Sequence, residues 1–294
     1  PRDTYDGAQQ KVYINGELKD TYDGAFGAVS NDVTRIGVVS NETGGWFLGL
    51  IDELRIWNRA LSPEEIEASF NANLHSLHHT FTGLGDGTYR YYAYTTDATG
   101  NSAQTETKTL TVGNPVGPGL IHSFNTFSSI SASFVPPTDA DNSVIDRNWT
   151  EVNVSIDSTY EASSFIDWNR SLVSYWDFNE NSGSATYDKS TYGNDGDLIN
   201  GPQWATGKFG SALQFDGVDD LVRLSGGGGG YSPEFTWELW VKAANPAERD
   251  QHIFSAQSYL RLYYGRVATA LRNSEAGYFY IFDNAVVGDD VWQH

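Results

Sequence analysis

Residues 45–70, GWFLGLIDELRIWNRALSPEEIEASF, constrain the fold more than any other stretch of this chain. Leu50, Leu54 and Ile56 recur on one face of a period-2 pattern, which predicts a strand with that face towards a core. Asp52 falls on the same face. A carboxylate in that place needs a cation or several hydrogen-bond donors, because burying it unpaired is costly.

A short helix is predicted directly after this strand. Ser62 can cap it, Pro63 suits the first helical position, and Glu65 completes a capping box. We expect the helix to end near Phe70. The stretch is therefore one strand, a short connection and one capped helix.

Composition places the whole chain in the all-β class. Its 294 residues have room for two or three domains. Tyr, Thr, Val and Ile are plentiful between Gly-, Asn- and Asp-containing turns, which favours β-sandwiches. The net charge of −20 argues against nucleic acid as a partner. It fits cation binding, a secreted or salt-adapted protein, or an ordinary solvated acidic surface.

The chain contains neither Cys nor Met. Disulfides and thiolate metal sites are therefore excluded. Residue 1 is not a translational start, which predicts a processed product or an excerpt of a longer protein. No apolar run is long enough to span a bilayer, so no transmembrane segment is predicted in this chain.

Two stretches carry a resemblance to laminin-G-like, concanavalin-A-like jelly rolls. Residues 45–70 resemble the family's closing segment, and residues 4–18 resemble the second half of its central hairpin, with Asn15-Gly16 as a type I′ turn signal. The matching residues of the closing segment are Gly49, Ile51, Asp52, Glu53, Arg55, Ile56, Asn58, Arg59, Ala60, Leu61, Ser62, Glu65 and Ile66. Those of the hairpin are Tyr5, Asp6, Gly7, Val12, Tyr13, Asn15 and Gly16.

The rest of this jelly roll lies at the other end of the chain. The first half of the hairpin, W-x-H, is found at residues 292–294, and its spacing is right if His294 is followed by Pro1. The resemblance therefore implies one jelly roll built from residues 170–294 and 1–70 in permuted order. The segments that resemble its opening strands are 172–196, 207–222 and 235–241.

A second fold is expected between the two halves. Residues 87–112 read as a strand, a turn and a strand, and resemble the last hairpin of immunoglobulin-like domains in bacterial and archaeal surface proteins. Residues 134–168 resemble the opening of the same domain. This resemblance implies that residues 77–112 and 132–168 form one sandwich, that 113–131 is a linker, and that the jelly roll is inserted into the sandwich.

Two arrangements explain the permuted order. In the first, the chain is one period of a tandem array or a head-to-tail filament, in which identical copies complete each other's domains. In the second, it is a circular permutant whose halves pair within one chain. The first is favoured, because both ends of the chain fall within a strand and no Met is present.

A structural Ca²⁺ is predicted between the last strand of the jelly roll and its opening loops. The resemblance implies this site, and carboxylate and amide oxygens are ligands that Ca²⁺ prefers. The alternative is that Asp52 accepts backbone hydrogen bonds and that the others are turn residues. The predicted ligands are Asp52, Asp177, Asp188 and Asn194.

Carbohydrate binding needs aromatic side chains beside polar groups. Alternating aromatics in a β-sandwich more often belong to the core, which is the alternative for each of them. The candidates are Tyr259, Tyr263, Tyr264, Tyr278, Tyr280 and Trp46.

No enzyme is predicted. Hydrolases of the concanavalin-A-like class place two carboxylates within acid–base reach on one strand, and Glu238 has no acidic partner at the required spacing. The histidines at 75, 78 and 79 are interpreted as a polar connection. The glycine run at 226–230 lacks the residues of a phosphate-binding loop.

These features predict a non-catalytic extracellular protein of a bacterial or archaeal cell surface, the repeat unit of a fibre or adhesin. The alternative is a Ca²⁺-dependent, lectin-like module that binds glycans. An acidic protein of a salty habitat with no special partner is a third reading. Four Asn-x-Ser/Thr sequons predict glycosylation at Asn41, Asn148, Asn153 and Asn169.

Overall fold

The computed structural model describes residues 1–24, 34–39, 41–71, 76–113, 130–225, 234–248, 250–255, 259–273 and 277–294. The chain forms two compact units. Unit 1 combines Pro1–Leu61 with Leu172–His294, and unit 2 is the continuous segment Ser62–Ser171. The smaller unit thus interrupts the larger one, and the predicted insertion of the jelly roll into the other sandwich is not confirmed.

The predicted all-β class is confirmed, since one short α-helix accompanies the strands of the described ranges. The first segment of unit 1 contains β1 (Arg2–Tyr5), β2 (Gln9–Ile14), β3 (Glu17–Asp23), β4 (Arg35–Ile36) and β5 (Leu48–Trp57). Unit 2 contains α1 (Pro63–Phe70), β6 (Ser76–Phe81), β7 (Gly87–Asp97), β8 (Ser102–Gln104), β9 (Lys108–Val112), β10 (Ser131–Val135), β11 (Ser143–Ile145), β12 (Thr150–Asp157) and β13 (Ala162–Trp168).

The second segment of unit 1 contains the remaining strands and a short 3₁₀-helix, Pro246–Glu248. The strands are β14 (Leu172–Trp176), β15 (Ala185–Thr186), β16 (Gly196–Ile199), β17 (Gln203–Thr206), β18 (Ser211–Asp216), β19 (Leu221–Leu224), β20 (Phe235–Ala243), β21 (Asp250–Ser255), β22 (Tyr259–Tyr263), β23 (Arg266–Asn273), β24 (Gly277–Val286) and β25 (Trp292–Gln293).

Unit 1 is built from two sheets. The nine-stranded sheet has the order β17-β18-β5-β20-β1-β2-β3, with β14 also paired to β5 and β25 to β20. The eight-stranded sheet has the order β15-β16-β19-β4-β21-β22-β23-β24. One apolar core contains residues of both sheets, among them Ile51, Trp237 and Val241 of the first and Val222 and Leu260 of the second. Both chain segments therefore contribute to a single core.

A bulge in β5 changes which residues face this core. The pairing register between β5 and β20 shifts at Glu53. This residue has a φ of +53° and interrupts the regular alternation of side chains along β5. Ile51 therefore shares the core face with Leu54 and Ile56, whereas Asp52 lies opposite Trp240 on the other face. The prediction that Asp52 shares a face with Leu54 and Ile56 was wrong, because a period-2 pattern assumes an unbroken strand.

Strands β25 and β1 lie end to end along β20 in one register. β25 ends opposite Val241 and β1 begins opposite Glu238, so the two intervening residues of β20 correspond to His294 and Pro1. The backbone N–H of Leu239 donates to the Pro1 carbonyl at 3.3 Å. The two strands thus occupy the place of one continuous strand, completed within this chain.

Unit 2 has two further sheets and a core of its own. The sheet orders are β10-β12-β6 and β11-β9-β7-β13, with β8 also paired to β7. Its core includes Leu110, Val154 and Trp168, and the Trp168 ring stacks on Phe81 at 3.9 Å between centroids. Of the predicted 113–131 linker, residues 114–129 lie outside the described residues, and Ser131 already belongs to β10.

The helix α1 begins as predicted from the sequence. The Ser62 hydroxyl accepts from the Glu65 N–H at 3.2 Å, and the Glu65 carboxylate accepts from the Ser62 N–H at 2.9 Å. The helix packs against β6 and β13, so it belongs to unit 2. The boundary predicted at residue 70 therefore lies at Leu61.

Candidate functional site

Aromatic and charged side chains lie together on the eight-stranded sheet. The alternation of β22 places Leu260 and Leu262 in the core, and Tyr259, Arg261 and Tyr263 on the opposite face. Two residues of β21 face them across the strands. The resulting group, called the Tyr–Arg patch below, consists of Asp250, His252, Tyr259, Arg261 and Tyr263.

Arg261 lies at the centre of the patch. Its Nη1 donates to Asp250 Oδ2 at 2.6 Å. Its guanidinium carbon lies 4.7 Å from the ring centroid of Tyr263 and 5.3 Å from that of Tyr259. The Arg261 side chain is 10% exposed and that of Asp250 33%. The planar cation is thus held by two rings and a carboxylate, within reach of solvent.

His252 closes one side of the patch as a neutral imidazole. Its ring lies 4.7 Å from that of Tyr259 between centroids. Burial, followed by the charge of Arg261, lowers the pKa of His252 to about 3. A Cβ on Gly45 would lie 2.5 Å from His252 Cδ2, so this position requires a glycine, which also has a φ of +64°.

Two atoms on the acidic and imidazole side chains of the patch are buried and have no hydrogen-bond partner among the described residues. They are His252 Nδ1 and Asp250 Oδ1. Buried polar atoms normally have a partner, so these two are places where a water molecule or a ligand hydroxyl would bind.

The patch continues onto the turn between β22 and β23. Tyr264 and Gly265 have φ values of +49° and +81°, which is the geometry of a type I′ turn. The turn exposes 55% of Tyr264, and 37% of Tyr263 is exposed beside it. The two rings meet edge to face with centroids 4.8 Å apart. An aromatic platform therefore borders the charged centre of the patch.

The structure brings together three of the six aromatic candidates, Tyr259, Tyr263 and Tyr264. Trp46 is half-buried ahead of β5, and the side chains of Tyr278 and Tyr280 lie outside the described residues. Sequence reasoning missed the three polar members of the patch. The alternation of β22 could have identified Arg261, whereas Asp250 and His252 depend on a strand register that no local signal reveals.

Asp52, the first predicted metal ligand, is fully buried. Its Oδ2 accepts the backbone N–H groups of Lys208 and Phe209 at 2.8 and 2.9 Å. Its Oδ1 has no partner among the described residues. Burial and the neighbouring Glu53 raise the pKa of Asp52 above its ordinary value. One carboxylate oxygen of Asp52 thus accepts backbone hydrogen bonds, which was the alternative to metal binding.

The other predicted ligands are held mainly by hydrogen-bond donors. Asp188 accepts the backbone N–H groups of Asn194 at 2.9 Å and Tyr175 at 2.8 Å. Asp177 lies 3.6 Å from Lys189 Nζ. Within the described residues, the one acidic group whose ligand atoms lie within 4.8 Å of one another is instead Asp216, Asp219 and Asp220. Asp52, Asp177 and Asp188 do not form such a group, and Ca²⁺ stays a prediction.

Glu238, the acidic residue considered for hydrolysis, lies in a buried row that crosses the nine-stranded sheet. Its Oε1 accepts from Arg2 Nη2 and Arg55 Nη1, both at 2.8 Å. Burial alone would raise the pKa of Glu238, but Arg2 and Arg55 hold it well below its ordinary value. In strand order the row is Tyr13, Arg2, Glu238, Arg55 and Tyr175.

Glu53 extends this row from the bulge in β5. It accepts from Arg55 Nη2, and its Oε1 accepts from the Tyr175 hydroxyl at 2.8 Å. Burial raises the pKa of Glu53 to about 7, and Asp177 adds to the rise against the charge of Arg55. Both carboxylates of the row therefore pair with arginines inside unit 1.

The sequons occupy different surroundings. Asn41, Asn148 and Asn169 are exposed, whereas Asn153 is half-buried on β12. The Thr43 hydroxyl donates to Asn41 Oδ1 at 2.6 Å. Glycosylation stays a prediction at all four positions.

The histidine group lies partly on a strand. His78 is exposed and His79 is buried, and both belong to β6. The interpretation of these two as a polar connection was wrong, because they alternate along a paired strand. His75 lies outside the described residues.

Residues 4–67 match a laminin-G family model described as the concanavalin A-like lectin/glucanases superfamily. The match supports the jelly-roll part of the resemblance, while the immunoglobulin-like unit and the permuted order stay predictions. A comparison with curated proteins and with solved structures gives no match. Among the described residues, no helix has the length and apolar character needed to cross a membrane. A domain of this superfamily fits a carbohydrate-binding or adhesion module.

Proposed function

We propose that this chain is a non-catalytic carbohydrate-binding module of an extracellular surface protein, and that the Tyr–Arg patch holds the glycan. The observation that carries the proposal is the Asp250–Arg261 pair, which lies against the Tyr259 and Tyr263 rings and is bordered by exposed Tyr264. The superfamily match of residues 4–67 supports the same class of ligand.

The chemistry of the patch suits a polyhydroxylated ligand. Sugar rings present C–H faces that pack on exposed aromatic rings, and the rings of Tyr263 and Tyr264 offer such faces at the rim. The Asp250–Arg261 pair supplies an acceptor and donors for neighbouring hydroxyl groups. The unpaired Nδ1 of neutral His252 can accept or donate, depending on its tautomer.

The non-catalytic part of the proposal is supported by the surroundings of Glu238. A general acid needs a pKa near the working pH, whereas Arg2 and Arg55 keep the pKa of this carboxyl far below it. The carboxyl is also fully buried.

The first test is binding to a panel of immobilised neutral and acidic oligosaccharides, followed by calorimetry with the best binder. We expect Tyr263→Ala to weaken binding about tenfold, because one stacked ring contributes about 0.5–1.5 kcal/mol beyond its buried area. Tyr187→Ala is the matched control, since this exposed tyrosine of unit 1 lies outside the patch. Equal losses in the two variants, or no binding to any glycan, would contradict the proposal.

Calcium dependence is the second part of the proposal, and its support is limited to the unpaired Oδ1 of buried Asp52. If Ca²⁺ binds there, adding it after treatment with a chelator raises the unfolding temperature of the wild type, and Asp52→Asn loses this rise. An unchanged unfolding temperature would leave a calcium-independent module.

The fibre predicted from the sequence requires the Arg2–Tyr5 strand to complete the jelly roll of another copy. Here that strand pairs with β20 of its own chain. This pairing supports the binding module as the first candidate, and the head-to-tail fibre stays a prediction.

A further inference from the structure

We infer that unit 2 carries a second saccharide site, called the Trp149 patch below, which consists of Asp139, Arg147, Trp149 and Thr150. The inference rests on the proposed function for its class of ligand, but the site belongs to the other unit and can be tested by itself. The observation that carries it is that an arginine, a carboxylate and an exposed aromatic ring meet here in the same mutual contacts as in the Tyr–Arg patch.

The distances in the Trp149 patch repeat those of the Tyr–Arg patch. Arg147 Nη2 donates to Asp139 Oδ1 at 2.6 Å, which is also the length of the ion-pair hydrogen bond in the Tyr–Arg patch. The Arg147 guanidinium carbon lies 4.8 Å from the ring centroid of Trp149, and the corresponding distance to Tyr263 is 4.7 Å. In each patch, a planar cation is thus held between a carboxylate and an aromatic ring.

The segments that carry the patch are fixed to the body of unit 2. The Asn148 carbonyl, in the loop between β11 and β12, accepts the Leu84 N–H at 2.8 Å. Asp139 lies between β10 and β11, where its carbonyl accepts from Lys108 Nζ at 3.0 Å. The hydroxyl of fully buried Thr150 donates to Asp139 Oδ2 at 2.6 Å. The patch is therefore formed before a ligand arrives, which lowers the entropic cost of binding.

The patch presents an open ring beside polar groups. Trp149 is 42% exposed, and Trp and Arg are among the side chains that most often dominate binding interfaces. The side chains of Arg147 and Asp139 are 33% and 16% exposed. Arg147 Nε is buried and has no hydrogen-bond partner among the described residues, so a water molecule or a ligand oxygen would bind there.

The charges around the patch favour a neutral sugar. The carboxylate of Asp139 offsets the charge of Arg147 within the patch. Burial raises the pKa of the nearby Tyr91 hydroxyl, and three carboxylates add to the rise, those of Asp139, Asp141 and Glu106. The surroundings are therefore acidic, and an anionic sugar would be repelled.

Nuclear magnetic resonance of the full chain tests the site directly. The indole N–H signal of Trp149, one of nine in the chain, is identified by its absence from the spectrum of Trp149→Phe. The protein is expressed without N-glycosylation, because Asn148 lies between Arg147 and Trp149. We expect neutral oligosaccharides of hexose and N-acetylhexosamine units to shift this signal in the wild type and equally in Tyr263→Ala.

Arg147→Lys tests the contribution of the planar cation. Lys keeps the charge but loses the flat fork that stacks on a ring, so we expect the dissociation constant read from the Trp149 signal to rise about tenfold. Arg170→Lys is the matched control, since this exposed arginine of unit 2 lies outside the patch. An equal effect of the two substitutions would overturn the inference.

The inference and the proposed function fail in different ways. A Trp149 signal that does not move while the chain binds sugar, or that no longer moves in Tyr263→Ala, would overturn the inference and leave the Tyr–Arg patch as the binding site. A shifted Trp149 signal with total binding unchanged by Tyr263→Ala would support the inference and contradict the proposed function. Absence of binding by every oligosaccharide would overturn both.

Discussion

Glu238 keeps its negative charge in a place from which water is excluded. Arg2 and Arg55 each donate to its carboxylate at 2.8 Å, and at most 1% of any of the three side chains is exposed. Burying one such ion alone costs several kcal/mol, and the two guanidinium groups offset this cost. Unit 1 therefore depends on the row being complete.

Replacing Glu238 by Gln preserves the shape of the side chain but removes the charge that two buried arginines share. We expect unit 1 to lose roughly 3–5 kcal/mol in its free energy of unfolding, as measured by urea denaturation. Glu17→Gln is the control, because its pair with Lys19 is exposed and should leave the unfolding curve unchanged. A Glu238→Gln protein as stable as the wild type would show that the row contributes nothing.

The sequence could not predict side-chain contacts that depend on the pairing of strands far apart in the chain. Glu238 was identified only as an isolated acid, because Arg55 is separated from it by 183 positions. Tyr259 and Tyr263 could be identified, since one strand carries them in alternation and the face they share needs no knowledge of any other strand.

Among the secondary-structure elements, β5 and α1 show that the sequence predicts only what local signals specify. Both were predicted in the correct place, because alternation and a capping box are local signals. The bulge at Glu53 has no such signal, and it reversed the face assigned to Asp52. The predicted calcium site came from the family resemblance, and its three aspartates do not form one cluster among the described residues.

The capping box gives a prediction for unit 2. Ser62→Ala removes the hydroxyl that accepts from the Glu65 N–H, so we expect unit 2 to lose about 1 kcal/mol of stability. Ser62→Asn is the control, since Asn caps helices about as well as Ser. Thermal unfolding followed by circular dichroism measures both variants. Equal stability of the Ala and Asn variants would refute a role for the cap.

The described residues form two separate apolar cores, one in each unit. We therefore expect two transitions in scanning calorimetry of the full chain. Glu238→Gln should lower the transition of unit 1 and Ser62→Ala that of unit 2. A single transition that both substitutions shift equally would contradict this expectation.

Sequence motifs predicted that residues 292–294 and 4–18 together form one hairpin, either between neighbouring copies, which was favoured, or within one chain. The common register of β25 and β1 agrees with the spacing of the motif. The division between units could not be predicted in the same way. Motif order shows which segments are related, whereas packing decides that α1 belongs with β6 and β13.

The position of β5 in the nine-stranded sheet means that this strand is synthesised long before the strands that pair with it. β5 lies between β18 and β20, and neither exists when β5 leaves the ribosome. At ~5–20 residues per second, β20 follows roughly ten to forty seconds later. Unit 2 is complete within that interval, whereas Ile51 and Leu54 still lack their neighbours. During this interval the nascent chain therefore exposes an unpaired apolar strand, which is a site for aggregation.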